Sequence, residues 1–159
     1  MSKERVFGKK GGVFLVLVDG TEELMTAIDY ASQFAKAQHG YVALLNVIEQ
    51  SYVQNWKNVE ETIRKETRLQ AERQIWDAAG RVYENTGSIP IVCIDEGSQS
   101  DIIAKTIDEN KNIVALVLAS ESGASNPGPL ISYFSGKGLS RLNVPLMIVP
   151  GNLEALPFP

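Results

Sequence analysis

The chain has 159 residues, 44% of them hydrophobic, with a net charge of -4 and a single cysteine. That length fits one domain with a full core, one cysteine excludes an internal disulfide and a cysteine-rich zinc site, and an acidic balance lacks the basic face that nucleic acid needs. No stretch approaches the roughly 20 apolar residues of a membrane span, so the expected setting is the cytoplasm, with neither nucleic acid nor membrane as partner.

Residues 1–12 carry Lys3, Arg5, Lys9 and Lys10 among glycines and read as a flexible segment ahead of a domain over 13–150 and a tail over 151–159. Residues 13–18 are β-branched or aromatic without a charge, bounded by Gly11-Gly12 and Asp19-Gly20, and predict a buried first strand. Thr21 is the expected cap of a first helix, with Glu22 and Glu23 at its positive end. Leu24, Ala27, Ile28, Ala31, Phe34 and Ala35 form its apolar face, and Gly40 closes it. Residues 41–48 predict a second strand. A long amphipathic helix follows over about 53–86, with Trp56, Val59, Ile63, Ala71, Ile75, Ala78, Ala79 and Val82 facing the sheet. Leu69, Trp76 and Tyr83, seven apart, form a flanking stripe read as packing on a neighbouring helix. The connection over 51–58, with Tyr52 and Trp56, is the expected mobile segment.

Residues 90–94 predict a short edge strand, Pro90 being tolerated at its start, and Cys93 within it reads as a buried, inert thiol. Ser98 and Asp101 have the spacing of a capping box for a helix whose apolar face is Ile102, Ile103 and Ile107. Residues 113–118 are apolar without alternation, the mark of a strand buried on both faces of a parallel sheet. A loop of small residues and prolines over 119–129 follows, then a helix over about 130–142 and a last strand at 145–150. The alternating order with right-handed crossovers predicts an α/β fold, a five-stranded parallel sheet of order 3-2-1-4-5 with helices on both faces, Rossmann-like. Its crevice lies at the carboxyl ends of the first and fourth strands, where Asp19 meets the 119–129 loop.

Familiar nucleotide signatures fail on residues. The turn Asp19-Gly20-Thr21-Glu22-Glu23 lacks the glycines of a dinucleotide fingerprint, and Gly136-Lys137-Gly138 lacks the Ser or Thr of a P-loop. His39 is the only histidine, so neither a Ser-His-Asp triad nor a histidine metal site is supported. Asp19, Glu49, Asp95, Glu96 and Glu121 all follow strand ends; solvated turn chemistry is the favoured reading over a magnesium or other cation site. A small-molecule enzyme using that rim lacks a nucleophile and base, and no catalytic residue is assigned.

Residues 13–23, the run Ala43-Leu44-Leu45-Asn46-Val47-Ile48-Glu49, and the strand-loop-helix-strand of 113–149 together resemble the universal stress protein family over nearly the whole chain. The resemblance implies the five-stranded fold and a homodimer through the last strand, Leu146, Met147, Ile148 and Val149. It also implies that ATP-binding members contact the nucleoside at the positions of Asp19 and Val47. Their phosphate motif, Gly, two residues, Gly, nine residues, Gly and Ser or Thr, falls without gaps on Ala119, Ser122, Ser132 and Tyr133, so every glycine is replaced. A shifted alignment through Gly123, Asn126, Gly136 and Lys137 keeps two glycines but needs a four-residue gap. If a nucleotide such as ATP or AMP with Mg²⁺ is held, Asp19, Val47, Ala119, Ser120, Ser122, Gly123, Ser132 and Tyr133 are the candidate contacts. The favoured expectation is a dimeric stress-response or regulatory protein without tight ATP binding and without a cofactor; the alternative is an adenine-nucleotide-binding regulator with slow or no hydrolysis.

Overall fold

The computed structural model describes residues 11–49, 57–121 and 127–154. The N-terminal segment up to residue 10, Tyr52, Trp56, Ser122, Gly123 and residues 155–159 lie outside them, as does most of the expected mobile connection. In chain order the elements are β1 (Val13–Leu17), α1 (Leu24–Ala37), β2 (Tyr41–Ile48), α2 (Lys57–Thr86), β3 (Ile91–Glu96), α3 (Gln99–Glu109), β4 (Ile113–Ser120), α4 (Pro129–Ser135), a 3-10 turn at Leu139–Arg141, and β5 (Leu146–Pro150). The sheet has the order β3-β2-β1-β4-β5, and each pair of neighbours is parallel, as the apolar runs predict.

Alternation along each strand divides the interior into two layers. Phe14 and Val16 of β1, and Val18 just after it, face α1 and α2, meeting Ala27, Ile28, Ala31, Ile75, Ala78 and Val82. Val13, Leu15 and Leu17 face the other way, onto Ile103 and Ile107 of α3 and Ile131 and Phe134 of α4. Leu15, Leu44, Ile75 and Ile103 have at most 1% of their surface exposed, and each such side chain contributes about 1.5–3 kcal/mol.

Several local expectations are corrected. The β4 run is not buried throughout: the β1–β4 register shifts between Val13 and Phe14, so Val114 is the extra residue of a bulge and is 39% exposed. Thr21 does not cap α1. Its hydroxyl donates to Asp19 Oδ1 at 2.7 Å, and the helix begins at Leu24 with no side-chain cap bond. At the other end His39, not Gly40, takes the left-handed conformation, with φ 54°. Gly40 N–H donates to Ala35 O and His39 N–H to Lys36 O, the pair of bonds of a Schellman end.

The capping box at α3 does not close, because Asp101 is a methylene shorter than the Glu the motif uses and instead accepts from Arg141 Nη1 at 2.9 Å. Cys93 is half-buried, as befits an edge strand. The helix expected over 130–142 breaks after Ser135. Two helix-poor glycines, Gly136 and Gly138, fall there, and the Tyr133 ring occupies the space beside Gly138 that any β-carbon would need. Finally, Leu69, Trp76 and Tyr83 are not covered by a neighbouring helix among the described residues; they are 52%, 62% and 56% exposed.

Candidate functional site

At the carboxyl ends of β1 and β4 a cleft of about 150 Å³ opens between the sheet and the starts of α3 and α4. Leu17 and Leu118 form its floor, Asp19 and Ala119 its sheet-side rim, Gln99 one wall, and the run from Pro127 to Ile131 the other. It exists because β1 and β4 are adjacent while their following helices, α1 and α4, leave to opposite faces.

Asp19 is exposed and held in place locally. Its Oδ1 accepts from Thr21 N–H at 3.1 Å and from the Thr21 hydroxyl, while Gly20 takes φ 73° to make the turn. Gln74 of α2 lies against Gly20 from the opposite face and accepts from the buried Asn46 Nδ2 at 3.2 Å, so the turn is braced behind the carboxylate. Opposite, Gly128 has φ 96° and precedes Pro129 at the first position of α4. Proline has no N–H. Pro127 and Pro129 therefore bring no backbone donor to a wall that in an anion site would be built from such donors.

The sequence candidates divide in space. Asp19 and Ala119 line the cleft together. Val47 is 7% exposed and belongs to the same layer as Leu17 and Leu118, but it does not reach the cleft wall. Ser120 ends β4 at the join with β5, its carbonyl accepting from Gly151 N–H at 2.8 Å. Ser132 is exposed and outside the lining. Tyr133 turns the other way: its ring lies edge-on to Phe134 and against Gly138, and its hydroxyl accepts from Arg141 Nη1 at 3.0 Å. That arrangement ties α4, the 3-10 turn and, through Asp101, α3 into one unit. The rim carboxylates form no metal-binding group: among the described residues no three His, Cys, Asp or Glu side chains converge. Gln99 and Leu130 enter the lining without having been singled out in the sequence. The Pro-Gly-Pro run was legible as a loop, whereas nothing local marks Gln99, which arrives through the packing of α3 beside α4.

A profile of the universal stress protein family matches residues 12–150. The chain belongs to that family. Solved structures agree at the level of the fold. Universal stress protein UspA from Lactobacillus plantarum superposes with a TM-score of 0.73 at 16% identity, covering 87% of this chain and 97% of that one. A universal stress family protein from Burkholderia pseudomallei gives 0.67 at 16%, covering 87% and 96%. The universal stress protein from Archaeoglobus fulgidus in complex with dAMP gives 0.60 at 13%, covering 87% and 97%. No curated protein is detectably similar in sequence. As a universal stress protein this chain has the five-stranded sheet, with a crevice lined on one side by the run from Pro127 to Ile131. No helix among the described residues is long and apolar enough to cross a membrane.

Proposed function

We propose that this universal stress protein is a dimeric stress-response regulator that works through protein contacts and does not hold ATP tightly. The observation that carries the reading is the cleft wall. Pro127 and Pro129 lack N–H donors and the Asp19 carboxylate lines the same cleft, so a polyphosphate would meet negative charge there and lose two backbone donors along the 127–131 wall.

Dimerisation is supported by the last strand. Among the described residues β5 pairs with β4 alone, Ile148 is 41% exposed, and the described part of the tail does not run beside it. Instead the chain turns back onto α1, where Thr26 donates to Gly151 O at 3.2 Å and Tyr30 OH donates to Glu154 O at 2.8 Å. An apolar, unpaired edge of this kind accepts a two-fold mate.

A second reading, a regulator that binds a nucleoside monophosphate, is favoured by Asp19 and the Gln99 amide at the cleft and by the dAMP complex of the Archaeoglobus relative. Mass spectrometry of the small molecules released when the purified protein is denatured separates the two. The first reading expects no adenine nucleotide; a near-stoichiometric nucleotide would replace it with the second.

A further inference from the structure

The flank of α2 that faces away from α1 carries an apolar stripe with no occupant among the described residues. α2 buries Ala71, Ile75, Ala78, Ala79 and Val82 against the sheet. On one side Arg81 and Asn85 bind Asp29 of α1, at 2.7 and 2.8 Å. The opposite side, above the β3 edge of the sheet, presents Leu69, Trp76 and Tyr83 at 52%, 62% and 56% exposure. A monomer normally shows single exposed apolar residues; here three large ones stand in one row about 21 Å long at 1.5 Å per residue.

We infer that this stripe is a second self-association surface, on which the α2 helices of two copies lie antiparallel across a two-fold axis at Trp76. Three observations converge on a second copy of the chain. The first is symmetry. Leu69 and Tyr83 are equally spaced from Trp76, so an antiparallel two-fold sets Trp76 on the partner's Trp76 and each Leu69 on the partner's Tyr83, the isologous pattern of a homodimer.

The second is Gly80, which sits on the same face between Trp76 and Tyr83. A β-carbon there would meet nothing within 4 Å, so packing inside the chain gives no reason for the poorest helix former other than proline in mid-helix. Close approach of another backbone or side chain supplies one. The third is charge. At about 100° per residue, Arg73, Asp77, Gly80 and Glu84 share one border of the stripe, and all are exposed. The two-fold brings the partner's Arg73 to the level of residue 79, beside Gly80 and between Asp77 and Glu84, so the border is self-complementary.

The area is modest. Aromatic side chains carry about 150–250 Å² each, so the exposed parts of Trp76, Tyr83 and Leu69 amount to roughly 300–400 Å² per copy. Doubled and extended by the charged border, this reaches about 1,000 Å², the lower limit for a specific contact. A contact of that size belongs to the weak, transient class. It is independent of the β5 contact proposed above, which lies at the opposite edge of the sheet and keeps two copies of residue 76 far apart.

Site-directed cross-linking in a Cys93→Ser background tests it, with copper-phenanthroline as oxidant and circular dichroism to verify folding. Trp76→Cys is expected to form a disulfide-linked dimer at least tenfold faster than Lys105→Cys on α3. Leu69→Cys alone is expected to cross-link slowly, but a mixture of Leu69→Cys and Tyr83→Cys rapidly. Equal rates at residues 76 and 105 would overturn the proposal, as would Leu69→Cys cross-linking to itself faster than to Tyr83→Cys, which would mean a parallel pairing. In an otherwise unmodified chain, Trp76→Lys should raise the dissociation constant of this contact at least tenfold; no change on sedimentation would likewise overturn it.

Discussion

Asp29 is the residue whose ionisation is most firmly tied to the fold. Partial burial pushes its carboxyl up, but the hydrogen bonds from Arg81 and Asn85, with the Arg81 charge, outweigh that and hold it below its usual 3.8. Arg81 meets it with both Nε and Nη2, at 2.7 and 2.8 Å, a bidentate clamp joining α2 to α1. A carboxyl depressed on folding lends stability that is fully present above its unfolded value and is lost as pH falls through the folded one. The expected outcome is that wild type is more thermostable than Asp29→Asn by a constant margin between about pH 5 and 7, and that the margin closes below about pH 4. Thermal unfolding followed by circular dichroism across that range checks it. A margin that persists in acid would mean the pair is held by packing alone, and because both partners are partly exposed the margin is expected to be small.

At the scale of elements, order and type were legible because the strands are nearly pure apolar runs and the helices show their period: the buried positions of α1 and α2 come directly from the spacing of Ala27, Ile28 and Ala31 and of Ile75, Ala78 and Val82. Helix ends were less legible. Thr21 had an equally local competitor in Asp19, and Asp101 was claimed by Arg141, forty residues away in sequence. The break after Ser135 depended on a tertiary fact, the Tyr133 ring lying on Gly138. The ungapped placement of a phosphate motif on Ser132 and Tyr133 goes with one continuous helix over 130–142. With the helix ended, Tyr133 serves as the post that Arg141 and Gly138 pack against. Gly138→Ala should therefore destabilise by about 1–3 kcal/mol, the usual range for overpacking, read as a lower urea midpoint with unchanged slope. An unchanged midpoint would show that the ring moves aside freely.

For the whole molecule, the sheet has two unpaired edges among the described residues, β3 and β5, and each carries exposed apolar side chains beside it. On β5 the useful probe is Ile148: Met147 packs against the α1 layer and Leu146 against the other, so charge at either would damage the core. With the α2 contact removed by Trp76→Lys, the protein is expected to sediment as a dimer at micromolar concentration, and adding Ile148→Asp to shift it toward monomer with its secondary structure intact. A Trp76→Lys protein that is monomeric under those conditions removes the β5 dimer.

The central claim is that the crevice of this universal stress protein has kept its place in the fold and lost the means to grip a triphosphate. The ungapped alignment showed the missing glycines; it did not show that two prolines and Asp19 would line one cleft of about 150 Å³, because that depends on how α4 begins. Isothermal titration of the wild-type protein with ATP in excess Mg²⁺ tests the claim most directly. The account predicts a dissociation constant weaker than about 100 µM, roughly 5.5 kcal/mol of binding, or no measurable heat. A constant of about 1 µM or tighter, near 8 kcal/mol, would contradict it and restore the crevice as a working ATP site.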